Sequence, residues 1–357
     1  MTIYLRRIKN YIRLEILAIP WRMILMVGLV ALAIAPVIFQ NPYVIRIITF
    51  TLIFAIYAAS WDFLAGYVGL FNLGHNAFFG VGAYTAALLN IHFGFSPLLT
   101  IPTGAFVGVF AGLIIALPTM RLRAFYLSLV TLAFPVILAG LVAVFPNFTG
   151  GEFGIYGVKM IGSTPQSTYY WVFIVFLFSL FVLWKLTDMK SRFVRTGVVF
   201  LAIREDEITA RASGINTTFY KTMGYCISGF FAGVAGGLFA HVMRIAGPST
   251  LELMLGFDAI VWTLVGGMGT IYGGVVGVLI LYPLVEFIRL STFGNEVRII
   301  VKACILISIL LFMPNGLSTW IRDHLEEECP RCKNINLRTR ATCRVCRAPL
   351  HREKVAL

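Results

Sequence analysis

The run LLTIPTGAFVGVFAGLIIALP, residues 98–118, carries no charged side chain across its 21 positions. A helix of that length rises about 31 Å, close to the roughly 30 Å thickness of a bilayer's hydrocarbon core. Comparable stretches recur from Met23 to Met313. With 59% apolar and 13% charged residues, no soluble core could hide them all, so lipid is the solvent for most of the chain. Each span must close its own backbone hydrogen bonds, which leaves helices, because the short alternating segments of a membrane β-barrel are missing. The predicted fold is an all-α polytopic membrane protein with about 8–10 transmembrane helices. Ten crossings fit: 23–39, 44–64, 77–90, 98–118, 124–145, 170–186, 219–243, 257–272, 274–290 and 299–313. Segments 65–76 and 266–277 are read as dipping into the membrane, and eight crossings with two such dips keep the same parity.

The net charge of +13 sits in short connections and tails beside apolar spans. That is the positive-inside pattern of a membrane protein and excludes a nucleic-acid partner. Threaded from an inside N-terminus, the interior receives 119–123 with Arg121 and Arg123, and 187–218 with Lys190, Arg192, Arg195, Arg204 and Arg211. It also receives the basic C-terminal tail. The connection 146–169 falls outside, with Glu152 and Lys159 as its only charges. Both termini are therefore expected in the cytoplasm of a cell with a plasma or inner membrane. Residues 1–22, with Arg6, Arg7, Lys9 and Arg13 and with Ile8, Ile12 and Ile16 on one face, read as a cytoplasmic or interfacial helix. Pro36 after the small residues Ala33 and Ala35 argues against cleavage there. Residues 23–317 are the expected transmembrane domain, and 318–357 a separate tail.

The loop 196–216 is the most informative stretch. Thr196 is placed to cap a short helix and Gly214 to end it in the left-handed conformation. Glu207 and Arg211 stand one turn apart in the favourable order. Phe200, Ile203 and Ala210 share a side, leaving Arg204, Glu205 and Asp206 for water or a partner. Such a helix either receives movement from a soluble motor or lies on the inner leaflet. No Gly-x-x-x-x-Gly-Lys-Ser/Thr phosphate loop is present, so this chain binds no nucleotide itself, and any ATP must be hydrolysed by another polypeptide.

The run from Ala202 to Asn216 resembles the cytoplasmic loop of branched-chain amino acid permeases of the LivM type. Further stretches resemble that family in the same order: Asn72 to Tyr84, Leu122 to Leu127, Thr131 to Phe134, Thr149 to Gly151, Val265 to Thr270 and Phe312 to Leu317. The resemblance covers about 40–317. It implies an ATP-driven importer in which a second permease, two cytoplasmic ATPases and an external binding protein are partners. It also implies that Arg204, Glu205, Asp206, Glu207, Arg211 and Gly214 couple the chain to the ATPases. Asn72, Gly74, His75, Asn76, Gly266, Gly267 and Gly269 would lie near the translocation path. Asn72 replaces the family's usual Ser, and Glu152-Phe153-Gly154 continues the Gly-Gly motif unusually; urea or short-chain amides are therefore the alternative cargo. A stand-alone secondary transporter or channel is the alternative of another class.

Gly66, Gly69 and Gly74 repeat the spacing of Gly266, Gly269 and Gly274, a pattern of either close helix packing or a substrate route. Asp62, near the inner end of its span, and Asp258, near the outer end of its own, either reach the interface or act in function. His75 has either a functional or a hydrogen-bonded packing role, and Glu286 can pair with Arg289. Cys226 and Cys304 fall within spans and read as packing residues.

In the tail, Cys329-x2-Cys332 and Cys343-x2-Cys346 flank ten residues. Two thiolate pairs at that spacing enclose one tetrahedral Zn²⁺ in a zinc-ribbon-like module. Two disulfides would need an oxidising compartment, against the cytoplasmic placement. With so small a core, the metal is expected to supply most of the folding energy.

Overall fold

The computed structural model describes residues 20–120, 122, 124–188, 196–290, 295–332, 335–338, 340–343 and 345–350. Most of the basic N-terminal stretch lies outside them, as do Arg121, Arg123, Lys190, Arg192 and Arg195 of the charge count.

A helix stands at each of the ten expected crossings. The described helices are α1 Pro20–Ile38, α2 Pro42–Asp62, α3 Asn76–Phe93, α4 Pro97–Thr119, α5 Ala124–Val144, α6 Pro146–Thr149 and α7 Pro165–Thr187. They continue as α8 Thr196–Glu205, α9 Glu207–Ala212, α10 Thr217–Met243, α11 Leu253–Gly266, α12 Ile271–Leu290, α13 Asn295–Phe312 and α14 Leu317–Leu325. Among the described residues, 6 helices are long and apolar enough to cross a membrane; α2 with its extension, α4, α5, α7, α10 and α12 supply them. Prolines at the first turn start α2, α4 and α7, where a missing N–H costs nothing. Thr164 caps α7 by accepting from Ser167 N, so that helix begins at Pro165, ahead of the expected 170.

The chain forms two compact units, Asn41–Gly316 and Met1–Gln40 with Leu317–Leu357. In the first, α2 is the central element: residues 49–62 are all buried, and it packs on α7, α10, α11 and α12. It ends in a π-helical turn, Phe63–Tyr67. The chain then runs without regular structure to His75 before α3 begins, along the first stretch expected to dip.

Next to α2, α10 packs on α3 and α4 through glycines. A methyl group on Gly82 would strike the backbone of Gly233, and one on Gly108 that of Gly229. Gly108 and Gly112, four residues apart, let α4 approach α10 at backbone contact, and Gly104, one step earlier, lets it approach Gly82 of α3. Strands β1 (Ile155–Tyr156) and β2 (Ile245–Ala246) pair antiparallel across two connections. In the second unit, α14 packs on α1 and leads into β3 (Glu326–Glu328), antiparallel to β4 (Ile335–Leu337).

Candidate functional site

The expected single helix from Thr196 to Gly214 is two. Asp206 leaves the helical conformation and caps α9, its Oδ1 accepting from Ile208 N at 2.8 Å and Thr209 N at 3.1 Å. Thr196 is not a cap; it lies in the first turn of α8 and its hydroxyl donates to Leu186 O at 2.9 Å. Gly214 does end α9 with φ 84°, as the left-handed reading required. Glu207 accepts from Arg211 at 3.1 Å, as the one-turn spacing predicted, and also pairs with Lys221 from α10. The Thr209 hydroxyl, followed by the amides of Thr209 and Ile208, holds the Asp206 carboxyl below its ordinary range. Burial pushes the Glu207 carboxyl up, but the hydrogen bond and charge of Lys221 outweigh it, and the net shift is downward.

Phe200, Ile203 and Ala210 are all buried. Phe200 meets Phe63 of the π turn edge-on at 5.4 Å. Arg204 departs from the expectation that it faces water or a partner. Its guanidinium donates to the Gly66 carbonyl, and its Cγ packs over Gly69, whose φ of 81° and missing side chain leave it room. Glu205 remains outside with 67% of its side chain exposed, and holds the outer edge of the same guanidinium at 2.7 Å. Ile208, at the tip of α9, is 83% exposed.

The Arg204 contact lies at a junction of both glycine-rich stretches. Asp62, the last residue of α2, is fully buried and does not reach an interface; its Oδ1 accepts from Gly269 N at 2.7 Å. A methyl group on Gly66 would overlap both that carboxylate and the Gly269 amide. Gly269 has φ 78° and places its Cα side within van der Waals reach of the Arg204 guanidinium. Gly69 and Gly269, equivalent by spacing, therefore share the left-handed conformation. The turn containing Gly267, with φ 116°, is closed in turn by Gly316, which tolerates no Cβ against it. Gly266 is packed equally tightly on Gly273.

The second set, 72–76, is buried and cross-linked. Asn72 accepts from Gly74 N at 2.9 Å and, through its carbonyl, from Trp61 Nε1 at 2.8 Å. His75 Nε2 lies 2.9 Å from Ser60 Oγ. Asn76 donates to Leu251 O at 2.7 Å and Glu252 O at 3.0 Å, tying the start of α3 to the start of α11. Gly74 abuts the Thr131 carbonyl with no space for a methyl. Sequence reasoning did not find that a third stretch, 248–252, joins this junction; no spacing motif announces it. Asp258 is half-buried. Glu286 accepts from Tyr43 OH at 3.3 Å, whereas the side chain of Arg289, its expected partner, lies outside the described residues.

Two cavities open on the first unit. One of about 330 Å³ is lined almost wholly by apolar groups, among them Tyr84, Leu138, Phe145 and Leu251. The other, of about 230 Å³, lies at the end of α2 opposite Asp62, and is lined by Tyr43, Arg46, Ile47, Phe50, Phe239, Met243, Tyr282 and Glu286.

In the tail, the sulfurs of Cys329, Cys332, Cys343 and Cys346 all lie within 4.8 Å of one another. The Cys329–Cys346 and Cys332–Cys343 sulfur pairs stand 3.5 and 3.6 Å apart, far beyond the roughly 2.05 Å of a disulfide. A tetrahedral ion with arms of about 2.3 Å needs sulfur–sulfur edges of about 3.8 Å, so the set fits a metal. The Cys346 amide in first place pulls the Cys343 thiol down to about 6, whereas for Cys346 the Ala348 amide is outweighed by burial and the three neighbouring thiols and the net shift is upward. Asn336 Nδ2 donates to the Cys343 sulfur at 3.5 Å, a bond that orients it.

A family model described as branched-chain amino acid transport system / permease component matches residues 43–310. The high-affinity branched-chain amino acid transport system permease protein LivM of Escherichia coli (strain K12) is 28% identical over 330 residues, covering 84% of this chain and 76% of its own. LivM of Salmonella typhimurium is 28% identical over 318 residues, 81% of this chain and 73% of its own. The galactofuranose transporter permease protein YtfT of Escherichia coli is 28% identical over 244 residues, 64% of this chain and 67% of its own. These relatives are transport components, not enzymes. No solved structure matches the chain.

Proposed function

Since the chain belongs to the family of branched-chain amino acid transport permease components, we propose that it is the membrane-spanning subunit of an ATP-driven importer. It would work beside a second permease and two cytoplasmic ATPases, and take branched-chain amino acids from an external binding protein. The observation that carries this reading is the reach of Arg204. One end of α8 and α9 offers Glu205 and the exposed apolar Ile208 to a partner. The Arg204 side chain, just before Glu205 on α8, is seated on Gly66 and beside Gly269. A push on α9 would pass through α8 to the breaks in two spans, by way of one side chain and two backbones.

On this reading the junction faces the cytoplasm, with both termini inside, and 72–76 and 266–269 line or gate the path. The charge partition of the connections supports that orientation. In the tail, all-thiolate ligation and near-tetrahedral spacing favour Zn²⁺, bound structurally. Amino acids are favoured over a sugar as cargo because the LivM likeness spans over four-fifths of the chain and the galactofuranose permease likeness 64%.

The test is purification of the chain from its native membrane, followed by reconstitution. Recovery of two ATPases and a second permease, with leucine uptake that requires ATP, is the expected result. Uptake by this chain alone, without ATP, overturns the reading.

A further inference from the structure

The cavity at the other end of α2 takes no part in the junction, and its walls carry a distinct chemistry. Arg46 extends over it from the second turn of α2. Its Nη2 donates to the Met243 thioether at 3.2 Å, and its guanidinium lies 5.6 Å from the centre of the Phe50 ring. A thioether is a weak acceptor, and among the described residues no carboxylate pairs with this arginine. Glu286 of α12 lines the same cavity, held by the Tyr43 hydroxyl at 3.3 Å. One cationic donor fork and one carboxylate thus face a common space whose remaining walls are aromatic and aliphatic. Its volume, about 230 Å³, is below the roughly 300 Å³ at which drug-sized pockets begin, and suits a single small solute.

Beneath the cavity, aromatic rings continue along α2. Phe50 meets Phe239 at 5.6 Å, Phe54 meets Trp262 at 5.2 Å and Tyr282 at 5.0 Å, and Tyr57 meets His75 at 5.0 Å. A run of contacting aromatic rings therefore leads from the cavity wall toward the buried 72–76 stretch.

We propose that this cavity is an intake site for a zwitterionic α-amino acid, with the carboxylate on Arg46, the ammonium toward Glu286 and an apolar side chain on Phe50 and Phe239. This rests on the transport reading and adds to it where on the chain the solute is first held. A bidentate guanidinium–carboxylate bond supplies orientation as well as attraction, and an apolar wall selects aliphatic side chains without binding them tightly.

The experiment uses the full-length chain in lipid nanodiscs, irradiated with a diazirine analogue of leucine and mapped by mass spectrometry. Label is expected on 43–50, 239–243 or 282–286, and excess leucine should compete it away. Arg46→Gln should lower it at least tenfold, Glu286→Gln by a smaller factor, and Arg46→Lys should retain part of it while unfolding at the wild-type temperature. Label that ignores these substitutions, or falls elsewhere, overturns the proposal. So does the finding that Arg46 instead holds a phospholipid headgroup, seen as lipid retained in native mass spectra and lost with Arg46→Gln. ATP-driven leucine uptake by the assembled transporter without label here would sink the site and leave the transport reading standing; label without uptake would do the reverse.

Discussion

The two ends of α2 are built on opposite plans. At the Asp62 end, the carboxylate, the Gly66 carbonyl, the Gly269 amide and the Arg204 guanidinium are packed so closely that a methyl group has no place. At the Pro42 end, an open cavity separates Arg46 from Glu286, and the arginine settles for a thioether and a ring. Close packing transmits displacement because nothing can yield; an open pocket whose arginine meets only a thioether and a ring is where the proposed solute would be held. A transporter needs one of each, and one helix carries both.

The largest effect is expected from filling the tight end. Gly66→Ala forces a Cβ into the Asp62 carboxylate and the Gly269 backbone, a core overpacking of about 1–3 kcal/mol or more. Uptake should fall below a tenth of wild type and the thermal unfolding temperature should drop. Gly140→Ala, whose Cβ meets nothing within 4 Å, is the matched control and should change neither. Equal behaviour of the two would break the contrast between the ends.

Removal of a ligand in the tail comes next. Cys343→Ser should lower bound metal from one ion per chain toward zero. Metal analysis of the purified chain checks this, and a full equivalent of ion retained by the variant would rule out the four-sulfur site. Unfolding of the transmembrane helices, followed separately, should stay at the wild-type temperature.

A smaller and more selective effect is expected at Ile208. Because 83% of it is exposed, Ile208→Glu should leave folding unchanged and weaken recovery of the ATPases by several-fold. Unaltered recovery would move the docking surface elsewhere.

The smallest is a pH effect at Glu207. Its carboxyl is held below the ordinary 4.5, so its contribution is complete at neutral pH and disappears only as pH falls through that lowered value. Glu207→Gln should cost roughly 0.5 kcal/mol at pH 7, as befits a partly exposed pair. The wild-type and variant unfolding curves should converge once the pH has fallen below that lowered value. A difference that persisted there would assign the stabilisation to something other than charge.

Much of this was legible in the sequence, for reasons that are local. Hydropathy placed the spans, because lipid demands a long uncharged run wherever a helix crosses. The helical repeat picked out Phe200, Ile203 and Ala210, all of which are buried. The cysteine spacing predicted the four-sulfur cluster. Two signals were present and went unread: Asp206 before Glu207 is a helix start inside the supposed single helix, and Gly104, Gly108 and Gly112 are a packing ladder. What no spacing reveals is the inward turn of Arg204. Its acceptor lies 138 residues away, and the choice between solvent and the Gly66 carbonyl is made by tertiary packing alone.

The central claim, that Arg204 carries motion from the ATPases into the glycine breaks, is tested most directly by the number of leucine molecules imported per ATP hydrolysed in proteoliposomes holding the complete transporter. With Arg204→Ala, hydrolysis should continue while that ratio falls at least tenfold. A ratio equal to wild type would contradict the account.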